Sequence, residues 1–437
     1  MLRLAAPLVA AELGWIVMGI VDTMMVGRLP DSATAIGATG LGTMIFLTTA
    51  VIGEGMLLGL DTLVSQAFGA GRVDDCHHSL LNSMYLALVI TPVLMVAMLV
   101  GAPQLARLGV DAAVLHLSYP FLRALAWGTL PLLLYFAFRR YLQGMNVVAP
   151  VVFALVTANL VNLLMNWLLI YGHWGFPAMG VEGSGWSTFI ARVYMAAVLG
   201  ITIVRHDRRY GTGLWAVARK PDLRRIRELV ALGGPAAGHM ILEYGVFGAA
   251  TALMGRLGAL PLAAHQIALH TASFAFMVPL GISSAAAVRV GQALGRKEPH
   301  AAARAGWTAL TIGGGFMTVS AIAMLVIPHW IARLYTPDAT VIAAAAALLL
   351  VAAFFQLFDA LQVISIGALR GAGNTRIAMT SHLIADWLIG LPVGYYLAFH
   401  AGFGAAGLWV GLSIAMILAG SILLLEWNRR MKAAVSN

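Results

Sequence analysis

Apolar residues run along this chain in stretches near the ~20 that a helix needs to cross a bilayer. Glycine, proline and basic residues punctuate them. To within about four residues, the pattern predicts twelve helices: 4–27, 36–68, 80–102, 118–142, 149–171, 183–204, 228–256, 264–293, 303–328, 341–369, 377–399 and 404–426. The chain reads as an all-α polytopic membrane protein, with six helices on either side of one long polar stretch.

The polar positions inside those helices carry the candidate chemistry. Asp22, Glu54, Asp61, Glu243, Asp359 and Asp386 all fall within predicted spans. Ionisable groups there are costly, and they commonly mark ion pathways, proton relays or counter-charges for a substrate. For Glu54 and Asp61 a carboxylate buried against an arginine is the simpler expectation. Helical spacing gathers several polar residues onto shared faces. Gln356, Asp359 and Gln362 form one such face, as do His239 with Glu243, His382 with Asp386, Gln266 with His270 and Ser273, and Asn159 with Asn162 and Asn166. A stripe of this kind is expensive against lipid, so each is expected to turn toward protein or a wet cavity. A buried carboxylate that binds H⁺ or Na⁺ switches between anion and neutral site, which is what coupling to an ion gradient requires. Glu243 and Asp359 are the pair expected to hold a Na⁺ ion if sodium is that ion. Tyr244, Phe274, Phe355, Phe358 and Met277 are candidate walls for an organic cation, the aromatic rings through cation–π attraction.

Composition agrees: 60% of the 437 residues are hydrophobic and 10% charged, too apolar for a soluble exterior. The single cysteine, Cys76, excludes an internal disulfide framework. No cleavable signal is expected, because the first apolar run lacks a small-residue cleavage site. The formal charge of +9 follows membrane topology. Cations concentrate in alternate loops: Arg72, Arg139 and Arg140, the run from Arg205 to Arg227 including Arg219, Arg296 to Arg304, Arg370 and Arg376, and Arg429 to Lys432. The opposite loops carry Arg28, Arg107, Arg256 and Arg333. The positive-inside rule puts both termini and the central stretch in the cytoplasm, with no nucleic-acid partner.

The two halves echo each other. "VGRLPDSATAIGA" answers "MGRLGALPLAAHQ", aligning Gly27 with Gly255; "SQAFGAGR" answers "GQALGRKE", aligning Gln66 with Gln292; Gly144 aligns with Gly371 and Gly180 with Gly404. The offsets stay between 224 (404 − 180) and 228 (255 − 27). A first bundle over 1–204, a basic linker over 205–227 and a second bundle over 228–437 make a parallel repeat, a common construction in secondary transporters.

"VDTMMVGRL", "GLDTLVSQAFGAG", "RRYLQGMNVVAP", "NLLMNWLLIYGHWGFPAMGVEGSG", "ASFAFMVPLGISSAAAVRVGQALG", "FDALQ…LRGAGNT" and "GLPVGYYLA" occur in that order. Together with Glu243 in the seventh span, this series resembles the multidrug and toxic compound extrusion (MATE) transporters, the NorM-type branch above all, over essentially the whole chain. The resemblance implies two pseudo-symmetric six-helix bundles about a central cavity in a bacterial inner membrane. It implies a monomeric antiporter that exports lipophilic organic cations in exchange for Na⁺ or H⁺, with no further cofactor. It assigns Glu243 and Asp359 to a second-bundle cation site, and Asp22 with Asn162 and Asn166 to a first-bundle site. Gln266 and Gln362 become supporting polar groups. The chain departs from the family pattern at Asn166, where some members carry an acid, and at Phe355, where an aromatic hydroxyl is common. It departs again at Asp386, an extra protonatable group where an aromatic residue is usual.

Three rivals have distinguishing marks. A lipid-linked saccharide flippase of the same broad superfamily would line its cavity with several cations, whereas Arg123, Arg192 and Arg289 are the basic residues expected well inside helices. A membrane enzyme would need a nucleophile such as Ser184 in "EGSGWS" with a histidine partner. A channel would not need acids buried in both halves.

Overall fold

The computed structural model describes residues 1–101, 112–217 and 220–436, so Arg107 and Arg219 lie outside the described residues. Among these the chain is helical throughout. The helices are α1 (Leu2–Val26), α2 (Ser32–Leu57), α3 (Gly59–Gly69), α4 (Val73–Gly101), α5 (Ala112–Trp127), α6 (Thr129–Gly144), α7 (Ala149–Tyr171) and α8 (Gly180–Tyr210). They continue as α9 (Leu223–Leu257), α10 (Ala259–Gly295), α11 (Pro299–Val326), α12 (Pro328–Arg333), α13 (Ala339–Gly371) and α14 (Arg376–His382). A π-helical segment (Leu383–Gly390), α15 (Leu391–Phe399) and α16 (Gly404–Ser436) complete the chain.

These elements fall into the twelve expected spans. Ten described stretches are long and apolar enough to cross a membrane, and the bent pair α5–α6 makes an eleventh. α9 has the length, and its polar His239 and Glu243 lower its hydropathy. Three spans are broken. The second breaks at Leu58, the fourth bends by 42° at Gly128, and the eleventh widens into the π segment, where the Leu391 N–H reaches back five residues to the Asp386 carbonyl. Val89, Val93, Val96 and Val100 form an exposed stripe on α4 at helical spacing, the composition of a surface that faces lipid. Asp338 caps α13, accepting from the amides of Thr340 and Val341 and the Thr340 hydroxyl, and these donors hold its carboxyl below the usual carboxylate range.

Contacts divide the described chain into two compact units: Ala10–Ala237, and Met1–Val9 with Gly238–Asn437. The expected boundaries lie in the linker at 204 and 227; the contact boundary lies inside α9 and inside α1. The reason is local packing. The first turns of α9 lie on the α2–α3 break, where a Cβ on Gly59 would come within 2.9 Å of the Leu229 carbonyl. Arg225 pairs with Asp75 at 3.0 Å, and the Asn82 side chain accepts from the Asp222 amide. The start of α1 instead packs on α10, where a Cβ on Gly281 would come within 2.7 Å of the Val9 backbone.

In the second unit, α15 and α16 meet backbone to backbone. Gly390 and Gly394 on one side face Gly407 and Gly411 on the other, and a Cβ on Gly411 would strike the Gly394 backbone. Two small-residue pairs, each four apart, allow that approach.

Arginines expected in loops are partly inside helices. Arg139 and Arg140 belong to α6 and Arg370 to α13, all buried. Arg139 pairs with Glu12, and Arg140 with Asp61 at 3.4 Å. Asp61 therefore has the arginine expected of it. Glu12 is a half-buried partner that the hydropathy pattern did not single out, because it sits near the start of a long apolar run. Asp75, in the first turn of α4, pairs with both Arg72 and Arg225.

Candidate functional site

Each unit has a cavity with a carboxylate in its wall. In the Ala10–Ala237 unit a cavity of about 350 Å³ is lined by Trp15, Asp22, Phe46, Phe121, Thr188 and Arg192, among others. Asp22 sits on α1 and receives both its hydrogen bonds from neutral groups. The Asn166 amide donates to Oδ1 at 2.6 Å and the Thr188 hydroxyl to Oδ2 at 3.0 Å. Asn166 also donates to Asn162 Oδ1 at 3.1 Å, and both asparagines are fully buried. Their spacing of four on α7 aligns them, as the stripe of asparagines predicts.

Thr188 and Arg192 complete this wall, and the sequence reading did not place them there. They too are four apart, on α8, which is the signal that joins them. Arg192 lies over the Phe46 ring at 4.1 Å and donates to the Leu125 carbonyl at 3.4 Å. The bend at Gly128 gives it room: a Cβ there would come within 2.9 Å of Nη1.

In the other unit a cavity of about 220 Å³ is lined by Glu243, Tyr244, Phe247, Phe276, Met277, Phe355, Asp359 and Trp409, with Leu269, Ala272 and Ser273. The structure thus brings Glu243 of α9 and Asp359 of α13 to one cavity. Gln362 donates to Glu243 Oε1 at 3.5 Å, and His239 Nε2 lies 3.4 Å from Glu243 Oε2. Gln356, on the same face of α13, is directed to the Met324 sulfur at 3.1 Å. Phe355 stacks on Trp409 with 5.9 Å between ring centroids. Trp409 in turn donates to His265 Nδ1 at 3.1 Å, and His265 Nε2 lies 2.9 Å from the Thr251 hydroxyl. Phe247, Phe276 and Trp409 are walls that sequence reasoning missed, being indistinguishable by type from packing aromatics.

Several expected members lie elsewhere. Phe274 is 62% exposed and outside this lining, since one residue of helix turns it about 100° from Ser273. Phe358 is outside it for the same reason relative to Asp359, and its backbone packs on α16, within 2.8 Å of a Cβ built on Gly420. Gln266 shares a stripe with Ser273 but sits seven residues away, about 10 Å along the axis; the buried polar group of its turn is His265. Asp386 is fully buried outside the lining, with Oδ2 2.7 Å from His382 Nδ1. Ser184 is buried within α8 rather than at a loop junction.

The family model described as MatE matches twice, at residues 7–168 and 235–396. The copies are offset by 228 residues (235 − 7), within the range read from the internal echo. A probable multidrug resistance protein NorM of Mesorhizobium japonicum is 35% identical over 440 residues, covering 99% of this chain and 94% of its own. The protein of that name in Bradyrhizobium diazoefficiens is 37% identical over 435 residues, covering 98% and 92%. The crystal structure of the eukaryotic MATE transporter AtDTX14 superposes with a TM-score of 0.88 at 21% identity, over 99% of this chain and 97% of that one, a likeness of fold. The doubled match and the full-length kinship agree with the repeat, the helices and the paired cavities: this chain belongs to the MatE family of membrane transporters and is not an enzyme.

Proposed function

We propose that the protein is a cation-coupled multidrug efflux antiporter, exporting lipophilic organic cations by alternating access in exchange for Na⁺ or H⁺. The observation that carries this reading is the cavity shared by Glu243 and Asp359 and walled by Tyr244, Phe247, Phe355 and Trp409. Two carboxylates in an aromatic pocket attract an organic cation through charge and ring faces together. They equally accept H⁺, or ligate Na⁺ through their oxygens, and that neutralisation releases the drug. The names of the NorM relatives support the multidrug part of the reading. The basic loops support a bacterial cytoplasmic membrane setting with both termini inside.

The test is ethidium export from proteoliposomes under a Na⁺ gradient alone or a pH gradient alone. Export driven by either gradient supports antiport and identifies the ion. Export under neither overturns the reading and directs attention to lipid-linked saccharide flipping.

A further inference from the structure

Behind the cavity wall, α9 and the eleventh span bring close to Glu243, which the transport reading uses, two histidines that it does not. His239 and Glu243 lie one turn apart on α9, and His382 ends α14. One ligand atom from each of the three lies within 4.8 Å of the others. The two imidazoles meet edge to face, 4.4 Å between centroids. Close packing makes this possible. A Cβ on Gly238 would come within 2.6 Å of the Met379 sulfur, one on Gly245 would touch Trp387 at 3.0 Å, and Trp387 donates to the Leu242 carbonyl at 3.0 Å.

We propose that His239, Glu243 and His382 form a binding site for a divalent transition-metal ion of the Zn²⁺ class, with Asp386 as the group that orients His382. Two imidazoles and one carboxylate are a donor set for borderline-soft cations, whereas Na⁺ and Ca²⁺ prefer oxygen alone. Ligands at about 2.0–2.2 Å in a tetrahedron lie about 3.3–3.5 Å apart. His239 Nε2 and Glu243 Oε2 already stand at 3.4 Å. The widest pair needs to shorten by at most 1.4 Å (4.8 − 3.4), within reach of side-chain rotation. In the neutral ring, the Asp386 carboxylate 2.7 Å from His382 Nδ1 favours the proton on that nitrogen. That leaves the Nε2 lone pair of a fully buried histidine, which has no hydrogen-bond partner. A water fills the fourth position in metal sites with three protein ligands. Binding draws Glu243 onto the metal and displaces any proton it carries. Where Glu243 serves coupling, as the proposed function holds, the metal inhibits transport.

The experiment uses purified full-length protein in nanodiscs, stripped with a chelator and titrated with Co²⁺ and then Zn²⁺. One equivalent of Co²⁺ is expected to give the visible absorption of a tetrahedral site, bleached by Zn²⁺. The band is lost in His239→Gln and His382→Gln and kept in His400→Ala, an exposed imidazole. Asp386→Asn weakens metal binding about 10–100-fold. Size-exclusion profiles identify any variant that fails to fold, and the remaining histidine variant then decides. No band in the wild type, or an undiminished band in a folded His239→Gln or His382→Gln protein, overturns the site. Zn²⁺ inhibition of ethidium efflux is read separately, so a protein that exports no ethidium still reports its metal site through the spectrum.

Discussion

Asp22 and Glu243 are both acids in apolar helices, yet the chain treats them differently. Asp22 is held at 2.6 and 3.0 Å by an amide and a hydroxyl that carry no charge. Glu243 meets longer contacts, 3.5 Å from Gln362 and 3.4 Å from His239, and shares its cavity with a second acid. A carboxylate held by neutral donors, with the fixed cation of Arg192 in the same cavity wall, has a preferred state built into its surroundings. One among imidazoles, an amide and another acid has partners that can themselves change charge. On the proposed function, the contrast favours the second unit for the adjustable ion site and a steadier role for Asp22. A third class, Asp61 against Arg140 and Glu12 against Arg139, consists of complete ion pairs.

The contrast breaks most sharply on export. Glu243→Gln and Asp359→Asn are each expected to abolish gradient-driven ethidium export while eluting as monodisperse protein. Wild-type rates in both would remove the coupling role altogether. The ion-paired class responds in stability instead. Asp61→Asn removes the charged partner that stands 3.4 Å from the buried Arg140 and is expected to destabilise the protein by up to about 3–5 kcal/mol, seen as a lower Tm and a reduced folded yield. Thr188→Val removes one donor from Asp22, a loss of about 1–3 kcal/mol, and is expected to slow export without abolishing it. If Thr188→Val matched Glu243→Gln in effect, the two sites would not differ as argued. The smallest effect tests the wall: Phe355→Ala is expected to raise the KM for ethidium about fivefold, near 1 kcal/mol of ring contact. Phe274→Ala, outside the cavity, should leave KM unchanged.

The helices were legible because lipid imposes a length and a composition on every span, and 149–171 is matched residue for residue by α7. The acids were legible because their surroundings make them conspicuous. Spacing put Asn162 with Asn166, and Gln362 with Asp359, on shared helix faces; the family resemblance joined the asparagines to Asp22. What spacing does not give is which aromatic faces a cavity, so Phe274 and Phe358 were chosen by type and proved one step off in register from Ser273 and Asp359. Contacts between distant helices were equally hidden. Neither the Glu12–Arg139 pair nor the meeting of His239 with His382 has a local signature, and the bend at Gly128 that admits Arg192 reads in sequence as an ordinary packing glycine.

The π segment at Leu383–Gly390 has a consequence for heredity as much as for shape. Its five-residue reach from Leu391 back to Asp386 carries one residue more than an α-turn, an angular surplus of about 100°. Everything downstream is dialled round by that amount relative to α14. Removing a single codon between Leu383 and Gly390 would take out that surplus residue and let the segment close into an α-helix, with Gly394 still facing Gly411. A one-residue deletion is absorbed there, whereas in an unbroken α-helix it would re-aim an entire rod.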